Sequence, residues 1–301
     1  MTQELNNSTS VFITLFFLLI FSNLHIVGEA TEIGTHENHS YNERNTFSIS
    51  EPVVDIEIVP AGIRTGTLAS IFFTVKDAKG KPIQDLVISH ERIFHIIIIS
   101  RDFSVFAHLH PEDFGPVTSE MKEKAKYGVK FIFPKAGEYL IAADFAVKDD
   151  IISKHFRVTI PGKPSMDNVK EDFSRDRNFN DYHFRLVAPE HIAAGQKTTL
   201  KYQINENGKP ITNLEPYLSA PMHLAVILMD LNHFIHAHGY KAGNQSTPHP
   251  VGHIHGTTYE HYGPEIWADV IFPEKGTYKI FSEIKHRGKV LRFDFLVNVE
   301  K

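Results

Sequence analysis

The sequence predicts an all-β protein: two tandem immunoglobulin-like β-sandwich domains after an N-terminal signal segment. Three observations carry that expectation. Short apolar or alternating runs are broken by Gly, Pro, Asn and Asp about every 8–12 residues, the rhythm of a sandwich. The pattern then occurs twice: Gly80-Lys81-Pro82-Ile83 returns as Gly208-Lys209-Pro210-Ile211, and Phe133-Pro134-Lys135-Ala136-Gly137-Glu138-Tyr139 as Phe272-Pro273-Glu274-Lys275-Gly276-Thr277-Tyr278. Finally, Gly137–Tyr139 and Gly276–Tyr278 resemble the tyrosine corner of that sandwich.

The elements follow in chain order. Residues 1–30 read as a signal peptide or signal anchor. Val11 to Phe21 is unbroken apolar sequence, and Gly28-Glu29-Ala30 offers small residues for cleavage, although the preceding stretch has Glu4 and no Lys or Arg. Cleavage is favoured over anchoring because the run is shorter than the ~20 residues of a span. Residues 31–50 are polar and read as a flexible tail. Domain 1 covers 51–161, residues 162–181 form a linker rich in Pro, Asp and Asn, and domain 2 covers 182–301. Strands are expected at Val53–Val59, Leu68–Lys76, Ile93–Ile99, Val129–Phe133, Glu138–Phe145 and Phe156–Ile160. The second copy supplies Tyr182–Ala188, Thr199–Asn205, His223–Met229, Ala268–Phe272, Thr277–Ile284 and Val290–Val299. Met121–Tyr127 is the one candidate helix.

Composition narrows the function. The chain has 301 residues, net charge −5 and no cysteine. Without cysteine there are no disulfides, thiol nucleophiles or zinc–thiolate sites, and in an exported chain this points to a bacterial periplasm, cell envelope or extracellular space. No basic stripe with interleaved aromatics supports a nucleic-acid partner. A membrane is a partner only if the signal segment is retained. No nucleophile elbow, zinc-protease helix or phosphate loop is present, and the carboxylates form no obvious pair, so an enzyme is not expected.

The histidines carry the chemistry. His95 precedes His108-Leu109-His110, and His223 precedes His236-Ala237-His238, with 13 residues from the lone histidine to the pair in both copies. Imidazole is the commonest protein ligand for zinc and copper. A tight turn centred on Asp102-Phe103 would set His95 opposite His110, and one centred on Asp230-Leu231 would set His223 opposite His238. Opposed residues share a sheet face, as do residues two apart, so three imidazoles meet at one end of each hairpin. A slip of one residue would break the set. Ile97, Ile99 and Phe106, with Ala225, Ile227 and Phe234, continue the same face and read as core, placing the site at the solvent rim of each sandwich.

The second copy is the richer candidate. The repeat offset grows from 128 to 139 positions, so it carries 11 extra residues, and His253 and His255 in that region could close over the site or remain in a solvated loop. Met222 could add a thioether if the strand begins after it; inside the strand it faces away from His223 and fills core. Three nitrogens suit zinc with water, and copper binds the same nitrogens more tightly, so copper is expected, with zinc possible.

Glu215-Pro216-Tyr217-Leu218-Ser219-Ala220-Pro221-Met222-His223-Leu224, with His236-Ala237-His238 and the Phe272–Phe281 segment, resembles the YtkA-like and related exported copper-handling envelope domains of bacteria. The resemblance spans about 230 residues as two repeats. It implies an envelope β-sandwich that binds or delivers copper. His90 and Phe94 depart from the family pattern in the first copy. The leading expectation is an exported protein that binds copper for buffering, resistance or delivery to a copper-dependent oxidase or another envelope protein. The alternative is a non-catalytic structural or adhesion module with incidental histidines. A superoxide-dismutase-like metalloenzyme is disfavoured because the bridging histidine, zinc Asp and disulfide are not recognisable.

Overall fold

The computed structural model describes residues 31–33, 51–164, 171–244 and 261–301. The first domain contains β1 (Thr31–Ile33), β2 (Val53–Val59), β3 (Leu68–Lys76), β4 (Leu86–Val87), β5 (Phe94–Ser100), β6 (Phe106–Leu109), β7 (Lys126–Ile132), β8 (Gly137–Val147) and β9 (Asp150–Ile160). One sheet has the order β1-β9-β8-β5-β6, with β4 against β8; the other is β2-β3-β7. A 3₁₀ turn (Pro111–Phe114) and α1 (Ser119–Lys124) connect the two sheets. The helix therefore starts two residues before the expected one and ends before Tyr127, which joins β7 and is buried in the core. Thr118 caps it, its hydroxyl accepting from the Met121 N–H at 3.2 Å.

The second domain contains β10 (Asp176–Phe179), β11 (Tyr182–Val187), β12 (Lys197–Glu206), β13 (Lys209–Pro210), β14 (His223–Leu228), β15 (Phe234–Lys241), β16 (Glu265–Ile271), β17 (Gly276–His286) and β18 (Lys289–Val299). Its strands follow the order β10-β11-β12-β16-β15-β14-β17-β18 because β15 serves both sheets. The first part of β15 pairs with β14, and Gly239–Lys241 pair with β16. Gly239 is required at this crossing: a Cβ there would lie 2.6 Å from Ile266 Cγ2 and 2.9 Å from Met222 Cβ. In the first domain Pro111 follows His110 and ends the equivalent strand early, since proline cannot donate to a ladder.

Two sequence expectations change at the domain edges. Thr31–Ile33, placed in the flexible tail, pair with β9. Asp176–Phe179, placed in the linker, pair with β11, so the second sandwich starts before residue 182. The signal segment 1–30 lies outside the described residues. Among the described residues, no helix is long and apolar enough to cross a membrane.

Each domain has its own core. In the first, Phe73, Phe94, Ile96, Ile98, Tyr127 and Phe145 pack between the sheets. In the second, Phe184, Tyr202, Met222, Leu224, Phe293 and Phe295 do so. Both tyrosine corners form. The Tyr139 hydroxyl donates to the Lys135 carbonyl at 3.0 Å, and Tyr278 donates to the Glu274 carbonyl at 2.8 Å.

A third apolar cluster joins the domains. Ile97, Ile99, Phe103, Leu140 and Ala142 meet Ala225, Ile227, Leu231, Phe234 and Phe281. Every residue of β5 and β14 is buried, because both faces of these strands are covered. The side-chain period of two divides them: Phe94, Ile96 and Ile98 enter their own sandwich, while Ile97 and Ile99 face the neighbouring domain. This corrects the expected position of the site. The histidine-bearing face lies between the domains, not at a solvent rim, and His95, His110 and His223 are only 2–3% exposed.

Candidate metal centre

Two hairpins build the centre. In the first, Ile97 pairs with His108 and Ile96 with Leu109, a register that carries His95 to the level of His110. In the second, His223 pairs directly with His238. Both turns contain an Asp that accepts the backbone N–H two residues on: Ser104 to Asp102 at 3.2 Å and Asn232 to Asp230 at 2.8 Å. The residues between them, Phe103 and Leu231, have φ of 55° and 66°.

In domain 1 the hydrogen bonds fix the tautomers. His95 Nε2 lies 3.0 Å from the Ser89 carbonyl. His108 Nδ1 lies 2.8 Å from Glu283 Oε2, and His110 Nδ1 lies 3.1 Å from Asp113 Oδ2. Carbonyls and carboxylates only accept, so these ring nitrogens carry the protons. The remaining nitrogens then present lone pairs to one another. His95 Nδ1 is 3.2 Å from His108 Nε2, which is 3.2 Å from His110 Nε2. Between neutral rings in these tautomers no proton lies between the facing nitrogens. A tetrahedral ion with metal–nitrogen bonds of ~2.0–2.1 Å places its ligand nitrogens roughly 3.3–3.4 Å apart, so the spacing fits such an ion.

Domain 2 repeats the design. His223 Nε2 donates to the Tyr217 carbonyl at 2.9 Å, and His236 Nδ1 donates to Asp144 Oδ2 at 2.9 Å. His223 Nδ1 and His236 Nε2 then face each other at 3.3 Å. His238 stacks on His90 of domain 1, with centroids 3.7 Å apart and planes at 18°. Ligand atoms of His90, His223 and His238 all lie within 4.8 Å of one another, as do those of His95, His108 and His110. The two groups adjoin: the His108 and His223 ring centroids are 5.8 Å apart, and the His95 and His236 centroids 5.3 Å.

The carboxylates are exchanged between the domains. Asp144 of domain 1 orients His236 of domain 2, while Glu283 of domain 2 orients His108 of domain 1. Asp144 and Glu283 are separated by the same 139 positions as the repeated Tyr139 and Tyr278, so each is the other's counterpart. Arg292 holds Glu283 through Nη2 at 2.7 Å and reaches across to the Phe106 carbonyl at 3.0 Å. Carboxylates behind ligand histidines orient the rings and raise their basicity. Sequence reasoning missed this pair. The available signal was an acidic residue at the same repeat position in two otherwise largely buried strands.

The environment keeps His95, His108, His223 and His238 neutral. Burial, then the neighbouring imidazoles, lowers the pKa of His95, His223 and His238 well below the ordinary value. Burial lowers His108 to about 4 even against the Glu283 carboxylate. Burial alone would raise Glu283, but hydrogen bonds and charge from His108 and Arg292 outweigh it and hold it below its usual range. Metal ligation requires neutral imidazole, so at neutral pH these ligands lose no proton on binding.

The other candidate ligands fall differently. Met222 lies just before β14, so the strand does begin after it, yet its side chain is fully buried in the domain 2 core and is not part of the histidine cluster. His253 and His255 lie outside the described residues. The expectation of separate, unequal sites gives way to one joint cluster in which His90, a departure from the family pattern in the first copy, reaches the domain 2 group.

Residues 51–162 and 177–301 match the family described as Domain of unknown function (DUF8832). No curated protein matches the sequence. Among solved structures the chain is similar to the adhesin FdeC of Escherichia coli, at 13% identity and TM-score 0.25, over 82% of this chain and 64% of that one. It is also similar to domains 4 and 5 of the S-layer protein SbsC, at 12% identity and TM-score 0.22, over 84% and 99% of the two chains. A third similarity is to the Yersinia pseudotuberculosis adhesin InvE, at 10% identity and TM-score 0.22, over 82% and 59%. The chain spans less than two thirds of the FdeC and InvE chains.

Proposed function

This chain belongs to the DUF8832 family, and we propose that it is an exported, non-catalytic pair of immunoglobulin-like domains that binds a transition-metal ion at the histidine centre between them. One observation carries this reading. His95, His108 and His110 each give the proton of one ring nitrogen to an acceptor, leaving three lone pairs that converge, with His108 Nε2 3.2 Å from each of the other two. Copper ranks ahead of zinc because all-imidazole sites hold Cu²⁺ more tightly. Met222, whose thioether would favour Cu⁺, lies in the core instead. A bound ion would supply a positive charge that the three nitrogens share. The role is metal buffering, resistance or delivery to an envelope partner such as a copper-dependent oxidase. Export is supported by the apolar run Val11 to Phe21.

The test is titration of the purified chain with Cu²⁺ and with Zn²⁺, followed by calorimetry and thermal melting. Stoichiometric binding with a raised Tm is expected, since a ligand held at 100 times its Kd stabilises by about 2.7 kcal/mol. A His108→Ala, His223→Ala double variant, which breaks both groups, should lose this binding.

A second reading is favoured by the interdomain contacts. The apolar cluster around Ile99 and Ile227 and the His108–Glu283 and His236–Asp144 bonds already join the domains. In that case the protein is a structural or adhesion module whose histidines serve as polar glue. Wild-type protein that binds neither metal and shows no change in Tm would select this second reading.

A further inference from the structure

We infer that the centre holds two ions, and that the second ion is a clasp between the domains, closed by His90. This rests on the proposed metal centre and adds its stoichiometry and its interdomain role. The first ion would lie wholly within domain 1, on His95, His108 and His110. The second would be held by His223 and His238 of domain 2 together with His90 of domain 1.

A two-residue turn is duplicated in the two domains. Ser89 and Arg92 exchange both backbone hydrogen bonds around His90-Glu91, and Tyr217 and Ala220 do the same around Leu218-Ser219. Both central residues of each turn have positive φ: 47° and 65° in the first, 49° and 62° in the second. Two-residue turns of this kind favour Asn-Gly because side chains at positive φ are strained. The two turns face each other across the interface. His90 Nδ1 is 3.3 Å from the Leu218 carbonyl, and the Ser219 hydroxyl donates to Glu91 Oε1 at 2.7 Å. His90 and Leu218 are therefore equivalent positions, and only one of them carries a ligand. With Nδ1 facing a carbonyl, His90 keeps Nε2 as its acceptor nitrogen, and its ring lies flat against His238. Strain at a residue that reaches into a cluster of metal-ligating side chains marks a functional position.

The symmetry of the fold supplies the control. Leu218 shows that leucine is accommodated at this turn position with φ 49°, so His90→Leu removes the ring and keeps the turn. Native mass spectrometry with Cu²⁺ or Zn²⁺ should find two ions on the wild-type chain and one on His90→Leu. His110→Ala should also retain one ion, held by the other group. In the copper-loaded wild type, electron paramagnetic resonance should show a dipole-coupled Cu²⁺ pair with a half-field signal, because rings of the two groups lie about 6 Å apart. His90→Leu should give an isolated Cu²⁺ spectrum. One ion on both wild type and His90→Leu would overturn the clasp while leaving a metal site in domain 1. Two ions on His90→Leu would also overturn it, since the second ion would then be held within domain 2. No ion on the wild type would instead overturn the metal reading itself.

Discussion

The histidine groups of the two domains began as copies and are no longer equivalent. The domain 1 group is self-contained: β5 supplies His95, and β6 and the residue after it supply His108 and His110. The domain 2 group uses His223 and His238 but takes its third imidazole from a turn of domain 1. Positioning of the rings is reciprocal, with Asp144 serving domain 2 and Glu283 serving domain 1. Duplication gave each domain three histidines and one acidic residue. Face-to-face packing then made each group depend on the other domain, and histidine at position 90, where the second repeat has leucine, made that dependence unequal.

The largest expected effect comes from separating the groups. His108→Ala should abolish ion binding at the domain 1 group and leave the His90-containing group able to bind, as read by calorimetric stoichiometry. It also removes one hydrogen bond to the buried Glu283 carboxylate, which keeps Arg292; a bond to a charged group is worth about 1.5–3 kcal/mol, so the Tm of the metal-free variant should fall. Exchange of the carboxylates comes next. Glu283→Gln should weaken metal binding about 10–100-fold at the domain 1 group, and Asp144→Asn, which releases His236 from its place beside His223, should weaken the domain 2 group by less. If each variant instead weakened the group of its own domain, the reciprocal arrangement would be wrong.

The apolar part of the interface can be probed without touching the histidines. Ile227→Ala should cost about 2–5 kcal/mol in denaturant unfolding, because the side chain is fully buried in the cluster shared by the domains. In the metal-free protein the neutral rings make stability depend on pH. Their folded pKa values lie below the unfolded value of 6.5, so the unfolded chain binds more protons below that pH. Stability should be fully present above about pH 6.5 and decline as the pH falls towards about 4, where His108 protonates. A metal-free Tm that stays flat from pH 7 to 4 would contradict the burial of these rings. The smallest effect is expected at Met222. Met222→Leu should change stability by less than about 1.5 kcal/mol and leave metal affinity unchanged, because the side chain faces the sandwich core.

Much of the fold was legible because local rules govern it. Val53–Val59 and Leu68–Lys76 have the expected bounds, and both Asp-containing turns set the register that brings His223 opposite His238. The convergence of each lone histidine with its pair followed from that register and the period of two. What was not legible depended on the second body. Alternation identifies the two faces of β5 but cannot say which enters its own sandwich, so Ile97 and Ile99 looked like ordinary core. Asp144 and Glu283 looked scattered because their partners are 92 and 175 positions away, on the other domain. Met222 drew attention by adjacency to His223, yet just ahead of β14 its side chain turns into the domain 2 core.

The most direct test is anomalous diffraction from crystals of the zinc- or copper-loaded protein. The account predicts a metal peak bonded at roughly 2.0–2.1 Å to Nδ1 of His95 and to Nε2 of His108 and His110, with Glu283 still accepting from His108. Full loading with no peak among these three nitrogens, or metal confined to surface residues, would contradict it.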